Sequence, residues 1–490
     1  MNNRSTLLTL IVTAGCSADY SLESDSYGSG YDVQDALGDN FQDHGTNPWV
    51  SSAEDNTSTF SVDVDTASYA LTRRALTSGR LPDPASVRVE EFVNAFRYDL
   101  PAPTGDDTFA VHLESGPSPF GESDGTKLLR IGLQSAVVDE AERKPANLVF
   151  LLDVSGSMAS DDKLGLVKYA MKHLVQRLHP TDTLGIVVYA GSEGVLLEPT
   201  AVSDRSAILD ALDGLQAGGS TAGEAGIRRA YDLAEGAFRE DGVNRVVLCT
   251  DGDFNVGLTG EALVREVERF RDRGIFLTTL GFGMGNLNDA TMEQLSNRGD
   301  GNYAYIDTPN EALRTLGEHL VSTLQVVAKD VKLQVTFDPQ TVQRWRLIGY
   351  ENRLLNDEDF EDDDKDAGDV GAGHGVTAYY EVDPVGDATG VLAEVALRWK
   401  QPEGGASALA TFTTSTDQTH AAIGDTSNAF RFGAAVAEFA EILRESPHSD
   451  GARFTDVHAL AEGGIPLDGA DSLAMTELLS LVDLARTMDP

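Results

Sequence analysis

The chain has 490 residues, with 37 Lys and Arg against 79 Asp and Glu, a net charge of −42 and a hydrophobic fraction of 41%. That charge repels phosphate backbones and anionic surfaces, which argues against nucleic acid as a partner, while the length and apolar content allow several domains with real cores. Two cysteines exclude a disulfide scaffold and a cysteine-rich zinc site.

Arg4 precedes an apolar run at 7–12, and Thr13-Ala14-Gly15 places small residues before Cys16. A charged start, an apolar centre and small residues before a cut site predict a signal peptide over 1–15. The position of Cys16 resembles a bacterial lipobox, in which the cysteine is acylated and becomes the new N-terminus. The short run and Thr13, where an aliphatic residue is usual, depart from that pattern. The resemblance implies lipidation at Cys16 and a lipid-anchored, extracytoplasmic protein of the bacterial cell envelope. An ordinary signal peptide with a chance cysteine is the plainer alternative. Lipidation would leave Cys249 without a disulfide partner. From Cys16 to residue 47 the chain is rich in Ser, Gly, Asp and Tyr, and no Lys or Arg occurs from Ser5 to Thr72. This composition predicts a disordered acidic linker over 16–47. No later stretch has the length of a transmembrane span.

Residues 48–144 read as a mixed α+β region. It has a strand at 60–64, helices at 67–78 and 86–96, and strands at 109–113 and 128–133. Residues 145–327 change character. Leu148-Val149-Phe150-Leu151-Leu152 is a continuous apolar run, as in a strand covered on both faces. Leu164, Val167, Met171, Leu174, Val175 and Leu178 follow at helical spacing. Strands at 184–189, 246–249, 275–280 and 303–306 alternate with helices at 205–213, 223–239, 260–273, 289–296 and 309–324. That alternation predicts an α/β class with a doubly wound, Rossmann-like parallel sheet. Residues 328–415 return to strands (331–337, 343–350, 376–383, 390–399 and 408–413) and read as a sandwich-like β-rich domain. The strands at 109–133 are candidates to join it, which would leave the α/β region inserted. Residues 416–490 are helical, at 427–445, 453–462 and 471–487.

Asp153-Val154-Ser155-Gly156-Ser157 directly follows the first buried strand, Gly219-Ser220-Thr221 precedes a helix, and Thr250-Asp251-Gly252 follows the strand ending at Cys249. In a doubly wound sheet the carboxyl ends of neighbouring strands share one edge, so these segments converge. They offer two carboxylates and three hydroxyls, a hard oxygen set suited to Mg²⁺ or Mn²⁺ with water completing the shell. Neutral hydroxyls leave the cation electron-poor, and a partner's carboxylate would complete it. The same residue types also suit turns and helix caps.

At this point region 145–327 resembles a von Willebrand factor type A domain with a metal-ion-dependent adhesion site. The resemblance implies the ligands Asp153, Ser155, Ser157, Thr221 and Asp251, Mg²⁺ as the usual ion (with Mn²⁺ or Ca²⁺ as substitutes), and a protein partner offering an acidic side chain. Phe60-Ser61-Val62-Asp63-Val64-Asp65-Thr66-Ala67-Ser68-Tyr69 and Ile348-Gly349-Tyr350-Glu351-Asn352-Arg353 resemble bacterial lipoproteins carrying that domain, which extends the likeness over most of 47–487.

Other signals are weaker. The run 357–369 holds nine acidic residues but lacks the sixth-position Gly and closing Glu of a Ca²⁺ loop, so an acidic surface loop is the simpler expectation. Asp63 and Asp65 suit a second cation site, or strand-end and cap roles. No zinc-protease, serine-hydrolase, dinucleotide or Walker motif is present, and Asp253 is the one additional acid beside the ligand segments. Three functions stay open. One is a lipid-anchored, metal-dependent binding protein, which is not an enzyme. Another is an envelope scaffold with a structural or switching metal. The third is a metal-dependent hydrolase.

Overall fold

The computed structural model describes residues 39–488, apart from 124, 191–192, 220–222, 253–259, 284–286, 320–323, 403, 467 and 470. Cys16, Thr221 and Asp253 therefore lie outside the described residues. The chain opens with β1 (Val50–Ser51), β2 (Thr57–Ser61), α1 (Ala67–Thr77), α2 (Val89–Val93), β3 (Phe109–Pro117) and β4 (Lys127–Ser135). There follow β5 (Ala146–Asp153), α3 (Leu166–Arg177), β6 (Thr183–Tyr189), β7 (Glu193–Ala201), α4 (Arg205–Gly214), α5 (Gly223–Gly236) and β8 (Val243–Thr250). Next come α6 (Gly260–Arg271), β9 (Ile275–Phe282), α7 (Asp289–Arg298), β10 (Tyr303–Ile306) and α8 (Pro309–Ala312). Seven strands succeed them: β11 (Val326–Phe337), β12 (Val342–Ile348), β13 (Leu354–Leu355), β14 (Gly368–Gly371), β15 (Gly375–Pro384), β16 (Val391–Lys400) and β17 (Ala408–Ser415). Helices α9 (Asn428–Leu443), α10 (Phe454–Gly464) and α11 (Ser472–Met488) end the described chain.

The middle of the chain forms one sheet in the order β10-β9-β8-β5-β6-β7, with β5 at its centre. The unbroken apolar run of β5 is the reason for that position. Leu148, Phe150 and Leu152 pack with Met171 and Leu174 of α3 on one face. Val149 and Leu151 pack with Ile227 and Tyr231 of α5 on the other. A strand that is apolar on both faces needs a helix layer on each side. The sheet is parallel except for β7, which pairs antiparallel with β6. β7 has no counterpart among the elements predicted from sequence. It is a half-exposed edge strand carrying Pro199 and two glutamates, so neither apolar continuity nor strict alternation marks it.

Two antiparallel sheets, β1-β12-β15-β4-β3 and β13-β2-β11-β16-β17, form a sandwich. Its core joins Leu129, Ile131 and Tyr380 of one sheet to Phe60, Leu333 and Val335 of the other. Phe337 and Trp345 stack across it with ring centroids 5.4 Å apart. Strands from before and after the α/β region share these sheets, since β4 pairs with β15 and β2 with β11. The α/β region is thus inserted into the sandwich. A third core joins Phe92 and Phe96 to Phe430, Phe432 and Phe439 of α9 and Leu478 and Val482 of α11.

Several expectations change in detail. Residues 39–47, placed in the linker by composition, are seated on the fold. Asn40 pairs with Asn288, and buried Asn47 donates to Leu347 O (3.2 Å) and Gly349 O (2.7 Å). Polar composition hid this because Asn47 is held by backbone carbonyls rather than by apolar burial. The helix expected at 86–96 is shortened to Val89–Val93. The acidic residues of the run at 357–369 are mostly exposed and partly paired with cations. Lys332 donates to Asp359 O at 3.0 Å, Arg398 pairs with Asp363 at 2.8 Å, and Lys365 pairs with Asp359 at 3.1 Å. Among the described residues no helix is long and apolar enough to cross a membrane.

Ionic ties join the inserted region to its host. Arg353 pairs with Asp63 (2.9 Å) and Asp65 (3.0 Å) and also donates to Asn297 Oδ1 of α7 (3.0 Å). The cation that Asp63 and Asp65 serve here is a guanidinium. Arg88 bonds Asp289 of α7 at 2.6 Å. Nearby, Glu90 is buried and accepts Tyr350 N–H at 2.9 Å. Burial, then the charges of Glu351 and Asp63, push its carboxyl up to about 7. A raised carboxyl contributes stability that is complete below its unfolded pKa and lost as pH rises through the folded one. Urea unfolding at pH 5, 6 and 7 is expected to show stability falling with pH, Glu90 supplying up to about 1.4 kcal/mol per unit. Glu90→Gln should flatten that slope, and an unchanged slope would contradict the assignment.

Candidate metal centre

The site begins with strand order. β5 lies between β6 and β8, so Asp153 at the end of β5 faces Tyr189 at the end of β6 and adjoins Thr250 at the end of β8. Asp153 is fully buried. Its Oδ1 accepts Ser155 N–H at 2.8 Å, and its Oδ2 receives the hydroxyls of Tyr189 and Thr250, each at 3.3 Å. Those bonds fix the carboxylate at the sheet edge. Burial raises the pKa of Asp153, and the charge of Asp251 adds to that rise against the opposing bond from Ser155 N–H.

The turn after β5 carries the hydroxyls. Ser155 is buried, Ser157 is exposed, and their Oγ atoms lie 2.9 Å apart. The loop before α5 docks against this turn. Gly218 N–H donates to Val154 O (2.7 Å), and Gly156 N–H donates to Gly219 O (3.1 Å). Gly219 thus brings its segment to the turn, while Thr221, two residues on, lies outside the described residues. Asp251 follows β8, is fully buried, and accepts Lys163 Nζ at 2.9 Å. Gly252 must be glycine, because its φ is +94° and a Cβ there would sit 2.4 Å from Leu287 Cα.

The structure therefore brings Asp153, Ser155, Ser157 and Asp251 to one edge. Two buried carboxylates, with paired hydroxyls beside them, fit a small hard cation. Among the described residues no group of three or more His, Cys, Asp and Glu side chains is placed to hold a metal ion. A cation at this edge would rely on hydroxyl oxygen. His179 belongs to the opposite end of the sheet. Its N–H reaches Asp182 (2.8 Å), which also accepts Ala146 N–H at the start of β5 (2.8 Å). A strand of this length puts that point roughly 20 Å from Asp153.

Sequence reasoning missed three members of the site. Tyr189 reads as a strand residue, and Thr250 belongs to the segment after the strand without a part of its own. Only the topology shows that their hydroxyls meet Asp153. Lys163 sits in Ser160-Asp161-Asp162-Lys163, a local sequence with no signal for a carboxylate after a different strand.

Family comparisons agree with this architecture. The family model of the von Willebrand factor type A domain matches residues 147–319. A second, described as von Willebrand factor, matches 35–130. A third, described as the C-terminal part of the uncharacterized protein YfbK, matches 322–393 and 388–488. The chain is 38% identical over 477 residues to the uncharacterized protein YfbK of Escherichia coli strain K12, spanning 91% of this chain and 80% of that one. It is 30% identical over 221 residues to the uncharacterized protein sll0103 of Synechocystis, spanning 45% of this chain and 51% of that one. A solved von Willebrand factor type A structure from Catenulispora acidiphila has 16% identity and a TM-score of 0.45, and covers 79% of this chain and 91% of that one.

Proposed function

Because this chain belongs to the YfbK family, with a von Willebrand factor type A fold at its centre, we propose that it is a binding protein that grips an acidic side chain of a partner protein through Mg²⁺. Type A domains generally mediate protein–protein contact, and the edge at Asp153 is where this chain has the chemistry to do so. The observation that carries the reading is the convergence of Asp153, Ser155, Ser157 and Asp251 on that edge.

Each residue has a part. Asp153, Ser155 and Ser157 would hold the ion, and Thr221, which lies outside the described residues, is the further ligand that the sequence offers. Tyr189 and Thr250 keep the Asp153 carboxylate turned to the edge. Asp251 supplies the second carboxylate. The bound ion supplies a positive charge that hydroxyl ligands leave largely uncompensated, and a partner's carboxylate answers it. Mn²⁺ and Ca²⁺ are the substitutes that the oxygen set tolerates. In the same reading the N-terminal segment is a signal peptide, Cys16 carries the lipid, and the folded part stands outside the cytoplasm on the cell envelope.

The test is capture on immobilised protein from envelope extract, with Mg²⁺ and with EDTA. A partner retained in Mg²⁺, released by EDTA and absent on Asp153→Ala is the expected result. A partner held equally in EDTA, or by Asp153→Ala, would refute metal-dependent binding.

A further inference from the structure

The ammonium of Lys163 lies 2.9 Å from Asp251 Oδ2, and the lysine side chain is 11% exposed while that of Asp251 is fully buried. Lys163 comes from the wide helical turn Asp161–Gly165 that leads into α3. It crosses from the β5 side of the edge to the carboxylate after β8. Its stem lies in a space cut for it at the end of β9. Gly283 has φ +70°, and a Cβ there would meet Lys163 Cε at 2.1 Å, Cγ at 2.7 Å and Cδ at 2.8 Å. Tyr305 OH donates to Gly283 O at 2.7 Å and holds that backbone in place. Three segments of the edge are thus shaped around one cation.

From this arrangement we infer that Lys163 sets the charge of the metal site, acting as a built-in countercharge to Asp251. The inference rests on the metal reading of the preceding section. With Asp153 and Asp251 ionised and Lys163 protonated, the protein contributes one net negative charge. A divalent ion then leaves one positive charge unbalanced. The site binds the cation less tightly than two free carboxylates would, and it retains attraction for an incoming carboxylate. Lys163 acts on the site through its charge, which the ion and Asp251 both feel.

The experiment is calorimetric titration of Mg²⁺ into metal-stripped wild type, Lys163→Met and Lys163→Arg, with each variant's thermal unfolding recorded in EDTA. Lys163→Met should bind Mg²⁺ at least tenfold more tightly, and Lys163→Arg should stay within about threefold of wild type, because charge rather than shape is the variable. Removing one partner of a buried pair can impair folding. The comparison is therefore repeated in Asp251→Asn, where losing Lys163 strands no carboxylate and tighter binding is again expected. Wild-type binding that Lys163→Met leaves equal or weakens would overturn the countercharge role alone. Absence of Mg²⁺ binding in both wild type and Lys163→Met would overturn the metal reading, and this inference with it.

Discussion

Replacing Arg353 with alanine is expected to cost about 3–5 kcal/mol of folding stability, the range for stranding buried charge. Arg353 bonds Asp63 and Asp65 at 2.9 and 3.0 Å, and both carboxylate side chains are at most 2% exposed. The two acids are also tied to the backbone, since Asp63 Oδ1 accepts Asp65 N–H (3.0 Å) and Asp65 Oδ1 accepts Tyr303 N–H (2.7 Å). They cannot swing into water when the guanidinium leaves. Burial, then the neighbouring charge of Asp63, already push Asp65 well above the usual carboxylate range. In the variant that rise grows, and protonation relieves the repulsion. The loss should therefore be largest near pH 7.5 and shrink toward pH 5, following the sign for a raised carboxyl. Urea unfolding at the two pH values checks it. A loss under about 1 kcal/mol, the same at both, would show that the pair is solvated rather than buried.

The second large effect is on the cation. Asp153→Ala is expected to weaken Mg²⁺ binding by about 100-fold or more, since even outer-shell changes at metal sites cost 10–100-fold. The fold should survive. Asp153 is buried and lies beside the charge of Asp251, so removing it relieves desolvation and repulsion while leaving two hydroxyls and one N–H to find other partners. A loss in EDTA of no more than about 1–3 kcal/mol is the expected range. Calorimetric titration beside thermal unfolding in EDTA reads both. Global unfolding of the variant would instead assign the cluster a structural part.

The sequence carried the centre of the fold because β5 is apolar at every position from Leu148 to Leu152, a pattern that only a two-sided helix cover satisfies. Asp153, Ser155 and Asp251 were legible as a cluster because strand order alone brings their segments to one edge. What stayed hidden depended on contacts between distant segments. Arg353 is 290 residues from Asp63, so a pair of acids ahead of a helix looked equally like a cation site or a cap. Lys163 is 88 residues from Asp251, and nothing in its local motif names its partner. β7 was lost because an edge strand needs only one apolar face. The seating of residues 39–47 rests on an amide bonded to carbonyls, which composition does not record.

The proposed function stands on a divalent-cation site at the edge of Asp153. Anomalous diffraction from crystals grown with Mn²⁺ tests it most directly. A single strong peak is expected within bonding distance of Asp153, Ser155 and Ser157, on the Asp251 side of the turn. A clean map at that edge, with Lys163 still paired to Asp251 and manganese bound elsewhere or nowhere, would contradict it.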